Sequence, residues 1–141
     1  MPIKNIDLNS ANSLLEFDDS VRQGIPSAVF GVNDSFKAYL VSRIDAPVLV
    51  VCKDALTAEA FAETLGDFSG EKAIVIPAKD ENLIPSRGFS KEFVYRRTVA
   101  LRNSENAHYI VAPAGALMQT FPQRIYNLCI EKGCEYSPDQ I

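Results

Sequence analysis

Pro47-Val48-Leu49-Val50-Val51-Cys52 is an unbroken apolar run rich in β-branched residues. A strand with one wet face alternates polar and apolar residues; a strand covered on both faces does not. Continuous runs of this kind belong to parallel sheets, whose crossover helices lie on both sides. The next residues fit that reading. Asp54 is a helix cap, Ala58, Phe61, Ala62 and Leu65 recur along one helical face, and Gly66 is a stop signal.

The same grammar repeats toward the C-terminus. Ala73 to Ile76 reads as a second buried strand, and Pro77 to Gly88 as a loop of turn residues. Ser90 caps a helix that runs to about Arg102, and His108 to Ala112 is a third buried strand. Pro113-Ala114-Gly115 turns into a short helix, Ala116 to Thr120, and Ile125 to Ile130 reads as a further strand. Toward the N-terminus, Asn9 and Ser10 cap a helix over 9–20 that Gly24-Ile25-Pro26 breaks. Ser27 to Phe30 is a short strand, and Ser35 to Ile44 a helix with Phe36, Leu40 and Ile44 along one face. Strands alternating with helices imply parallel pairing through crossovers. The expected class is α/β, with a doubly wound, mostly parallel sheet flanked by helices.

Composition narrows the function. The chain has 141 residues, 47% apolar and 23% charged, with a net charge of -4. These values exclude disorder and a membrane-embedded chain as the main reading, and the acidic balance argues against a nonspecific grip on nucleic acid. The start, Met-Pro-Ile-Lys-Asn-Ile-Asp, lacks a signal peptide's apolar middle segment. Three cysteines, Cys52, Cys129 and Cys134, cannot all pair, and their spacing is poor for zinc; reduced structural thiols in a cytoplasmic protein are the reading. A Ser-His-Asp triad would rest on His108, the one histidine. Ser137-Pro138-Asp139 opens a helix two residues before the end, so we expect a piece of something longer.

The stretch with most chemical content is Gly31-Val32-Asn33-Asp34-Ser35-Phe36-Lys37-Ala38. It follows a strand and opens a helix, the context of a phosphate-binding P-loop. Gly31 and Lys37 keep their places in the pattern Gly, four residues, Gly, Lys, Ser or Thr. Phe36 stands where the second Gly belongs and obstructs the backbone's curl around phosphate; Ala38 stands where a magnesium-binding hydroxyl belongs. No apolar run leads directly into a carboxylate, since Cys52-Lys53 precedes Asp54 and Pro77-Ala78-Lys79 precedes Asp80, so a Walker B acid is missing too. The loop therefore reads as a degenerate, non-functional P-loop. Arg96, Arg97 and Arg102 share one helix with Arg87 nearby; they read as a solvated face, or else as contacts to a partner or to phosphate. Asp80-Glu81 has no base or metal partner in view, and Tyr95, Tyr109 and Tyr126 are spaced like core or interface residues.

Four segments in order resemble the N-terminal region of the bacterial transcription-repair coupling factors, the Mfd family. They are 47–52, Ile76 to Pro85, Tyr95 to Leu101, and above all Tyr109-Ile110-Val111-Ala112-Pro113-Ala114-Gly115-Ala116-Leu117-Met118-Gln119. The resemblance covers roughly residues 25 to 141 and rests on order and spacing. That region of the family is similar to domain 1 of the excision-nuclease subunit UvrB, a RecA-like, P-loop-type fold. UvrB has an intact P-loop where this chain has Gly31 to Ala38, and a long tyrosine-rich hairpin where this chain has Pro77 to Gly88. Both departures are those expected of the coupling factor.

The resemblance implies a division into an N-terminal helix and linker (1–24), a UvrB-like α/β subdomain (25–124) and the start of a UvrA-docking subdomain (125–141). It implies a multidomain, ATP-dependent translocase on double-stranded DNA that displaces stalled RNA polymerase and recruits UvrA for nucleotide-excision repair. ATP and magnesium would serve motor domains elsewhere, and the present residues would be non-catalytic. The competing readings are an ATP-binding helicase-like subdomain acting through Lys37, and an unrelated flavodoxin- or regulator-like domain, for which no phosphoacceptor aspartate is well placed.

Overall fold

The computed structural model describes residues 4–7, 12–78 and 91–122. The caps Asn9 and Ser10, most of the 77–88 loop with Asp80, Glu81 and Arg87, the cap Ser90, the strand expected at 125–130, Tyr126, Cys129, Cys134 and Ser137 to Asp139 lie outside them.

Chain order is β1 (Lys4–Asp7), α1 (Ser13–Arg22), β2 (Ser27–Phe30), α2 (Asp34–Ser42), β3 (Val48–Cys52), α3 (Ala55–Ser69), β4 (Ile74–Val75), α4 (Lys91–Ser104), β5 (Tyr109–Pro113) and α5 (Ala114–Leu117). The fold is α/β, and every strand pair among the described residues is parallel. The strands form two sheets, β1-β2 and β3-β5-β4, where a single sheet was expected. β1 is an addition to the sequence reading, which gave 1–24 a helix and a linker. Four residues without an apolar run carry no strand signal of their own; their pairing with Ser27–Phe30 makes them a strand.

The crossovers of the three-stranded sheet lie on both of its faces. β5 shows the alternation. Tyr109 and Val111 enter one core with Ala58, Ala62 and Leu65 of α3 and Ala38 of α2. Ile110 and Ala112 face the other way, toward Leu101 of α4, Ala116 of α5 and Ile76. α3 links the two outer strands, so it lies across β5 and reaches all three. α4 links β4 to its neighbour β5. A helix about 10 Å across covers roughly two strands spaced about 4.8 Å apart. β3 lies beyond that width.

The consequence corrects one expectation. The 47–52 run predicts cover on both faces. Val48, Val50 and Cys52 do pack toward α3. Leu49 and Val51, in register with Ile110 and Ala112, are on the α4 side and remain 53% and 56% exposed.

Local rules account for most boundaries. Asp54 caps α3, its carboxylate accepting from Thr57 N–H at 2.7 Å. Gly66 does not stop that helix. It continues to Ser69, so that Phe68 meets the Tyr39 ring of α2, and Gly70 ends it in the left-handed region at φ 72°. α1 is tied to the end of α2 by Arg43, whose guanidinium donates to Asp18 and, at 3.3 Å, to the Tyr39 hydroxyl. The Asp18 partner holds Arg43 above its ordinary range.

Candidate functional site

Ligands of open α/β folds gather at the C-terminal ends of parallel strands, where helices begin. Here that place is the β2-to-α2 turn beside the end of β3. Gly31 turns the chain out of β2 with φ 76°, a conformation that favours glycine. Asn33 is extended and caps α2; its Oδ1 accepts from Phe36 N–H at 2.8 Å. Asp34 is the first helical residue, and its carboxylate takes the Lys37 ammonium at 2.7 Å. That hydrogen bond, with the charge of Lys37 and a smaller contribution from Lys53, holds the Asp34 carboxyl below its ordinary value.

Each P-loop position has thereby found another use. Lys37 is paired within its own helix turn. The Phe36 N–H, which a phosphate would want, is taken by Asn33. The Phe36 ring leans on Tyr39 with centroids 5.5 Å apart. Ala38 is wholly buried in the core against α3, so its β-carbon points away from any ligand. A phosphate approaching this helix start would meet a carboxylate at its first residue, which opposes the helix dipole's attraction for anions. Asn33 and Asp34 belong to no fixed position of the P-loop pattern, and Asn followed by Asp is the helix-start signal that marks them in the sequence.

Cys52 and Asp54 flank the turn, whereas His108 and Tyr109 lie at the opposite, N-terminal end of the three-stranded sheet. Burial pushes the Cys52 thiol up, and the nearby Asp54 and Asp34 carboxylates add to this, the reverse of what a nucleophilic thiolate needs. The Thr57 N–H holds Asp54 below its ordinary value. His108 donates through Nε2 to the Ile44 carbonyl at 3.0 Å, which fixes its tautomer, and packs on Tyr109. Tyr109 is a core residue whose hydroxyl donates to Ser42 O at 3.3 Å. Among the described residues no group of three His, Cys, Asp or Glu could hold a metal ion.

The arginines separate. Arg87 lies outside the described residues. Arg96 and Arg102 are exposed on different sides of α4. Arg97 departs from the solvated-face reading: it is 9% exposed. It donates to Pro77 O at 2.7 Å and Ala116 O at 3.2 Å, and stacks over Phe121 at 4.9 Å. It thus ties the end of β4 to α5 and to the chain beyond, and burial lowers its pKa. Two of its donors serve carbonyls, so it acts as a clamp between these segments. The local signal that separates it from Arg96 is spacing: Phe93 and Leu101 stand four residues to either side of Arg97, Glu92 and Ala100 to either side of Arg96.

Comparison with family models, with curated proteins and with solved structures finds no match. No helix among the described residues is long and apolar enough to cross a membrane.

Proposed function

We propose that this chain is a non-catalytic, UvrB-like scaffold module of a transcription-repair coupling factor, working in the cytoplasm. In this reading it is a degenerate RecA-like subdomain that lends structure and docking surface to a DNA translocase. UvrA is recruited mainly through the following subdomain; RNA polymerase, double-stranded DNA, ATP and magnesium are handled by other domains. The carrying observation is the Gly31–Ala38 turn. It keeps a P-loop's place between strand and helix, yet Asn33, Asp34 and Lys37 satisfy one another and Ala38 is sealed in the core. Such a turn suits a nucleotide-binding ancestor turned to support. The exposed Leu49 and Val51 suit a module that packs against further protein.

Isothermal titration with magnesium-ATP and, separately, with purified UvrA tests the reading. We expect no heat with ATP, for the natural chain and for Phe36→Gly/Ala38→Ser alike, since Asn33 and Asp34 still occupy the helix start. Micromolar ATP binding by the natural chain overturns the scaffold reading in favour of a working phosphate loop. UvrA binding would put part of the docking surface within these residues.

A further inference from the structure

A groove of about 420 Å³ runs between α4 and the segment after α5, lined chiefly by Val94, Arg97, Thr98, Leu101, Gln119 and Pro122. Its floor is apolar. Val94 on its wall is 47% exposed, an aliphatic side chain open to water. Beside it on α4 runs a single helical row, Lys91, Tyr95, Thr98 and Arg102, spaced i, i+4, i+7 and i+11, with all four exposed and Thr98 lining the groove. No carboxylate pairs with Lys91 or Arg102 among the described residues. Glu92, next to Lys91, and Glu105, three residues after Arg102, flank the row without an ion pair to it among the described residues. The Arg97 guanidinium in the groove wall bonds neutral carbonyls, so its charge also lacks a counter-ion among the described residues. In a chain of net charge -4 this row is a local exception, and cations beside a low-dielectric wall focus a positive potential into the cleft.

We propose that this groove docks an acidic, amphipathic segment of a partner protein. Its apolar residues enter between α4 and residues 118–122, and its carboxylates meet Lys91 and Arg102. The apolar floor selects a peptide over a nucleic-acid backbone, which has no aliphatic side chains to place there. The argument stands on the groove itself and does not require the coupling-factor reading.

The test is fluorescence anisotropy of the whole chain with a labelled helical peptide of about four turns. Leucines follow one face of the peptide and glutamates flank them; a counterpart carries lysines instead. The acidic peptide is expected to bind, more weakly in high salt, and the basic one not to bind. Lys91→Glu/Arg102→Glu should weaken binding about tenfold. Thr98→Trp should block it by filling the groove. Both are surface changes, and an unchanged melting curve verifies the fold. Absence of binding, equal binding of both peptides, or indifference to both variants overturns the proposal. A short DNA duplex that binds the same row more tightly than the acidic peptide also overturns it, in favour of nucleic acid.

Discussion

The two faces of the three-stranded sheet are built from similar residues and end in different states. On one face α3 crosses all three strands, and Leu65, Ala58 and Val111 are wholly buried. On the other, α4 and α5 cover β4 and β5 but leave Leu49 and Val51 of β3 half in water. The lesson is topological. A helix joining outer strands lies over the middle of the sheet, whereas one joining neighbours covers just those neighbours. Burial of β3 is thus decided by the connections of other strands, not by its own composition.

The largest test of this contrast is Leu65→Ala. It opens a cavity in the closed face and should cost about 3 kcal/mol in urea unfolding. A loss near zero would mean that the α3 face is no better packed than its opposite. Next comes Arg97→Leu, which leaves the Pro77 and Ala116 carbonyls without their donor. About 2 kcal/mol should be lost by the same measurement. If the variant is as stable as the natural chain, Arg97 is not a clamp.

The caps come third. Asn33→Ala should cost about 1 kcal/mol, and Asp54→Ala should lower the melting temperature. Asp54 also has a pH signature. Its carboxyl titrates below its ordinary 3.8 in the folded chain, so its contribution is present above that value and is lost as pH falls through the lowered one. Thermal melts against pH should therefore converge for the natural chain and Asp54→Asn in acid and separate toward neutrality; parallel curves would show that the charge of Asp54 adds nothing to a cap whose acceptor oxygen Asn retains. The smallest effect is expected on the open face. Val51→Thr should change stability by less than about 0.5 kcal/mol, because the side chain already meets water. A loss like that of Leu65→Ala would show that something covers β3 in solution.

Much of the architecture was legible because it follows from local chemistry. The apolar runs at 47–52, 73–76 and 108–112 mark three parallel strands to within a residue or two, and Asp54 announces its helix. Errors fell where a distant partner overrules a local signal. Gly66 reads as a stop, but Phe68 has Tyr39 to pack against, and the helix runs on to Gly70. Lys4–Asp7 carries no strand pattern, yet it pairs with β2. At the candidate site, Gly31, Phe36, Lys37 and Ala38 are legible as positions of a P-loop pattern, while the part Asn33 and Asp34 play at the helix start rests on the hydrogen bonds they make.

The sequence by itself determined the fold class, the strand and helix alternation, and the departures from a P-loop, since all of these rest on residue type at fixed spacing. The tertiary structure alone decided that Arg97 bonds Pro77 and Ala116, that Ala38 seals a core, and that β3 keeps one face open. Those outcomes depend on what each residue meets across the fold. Periodicity along the chain reports that a residue can be buried; only the crossing of a helix over the sheet decides whether it is.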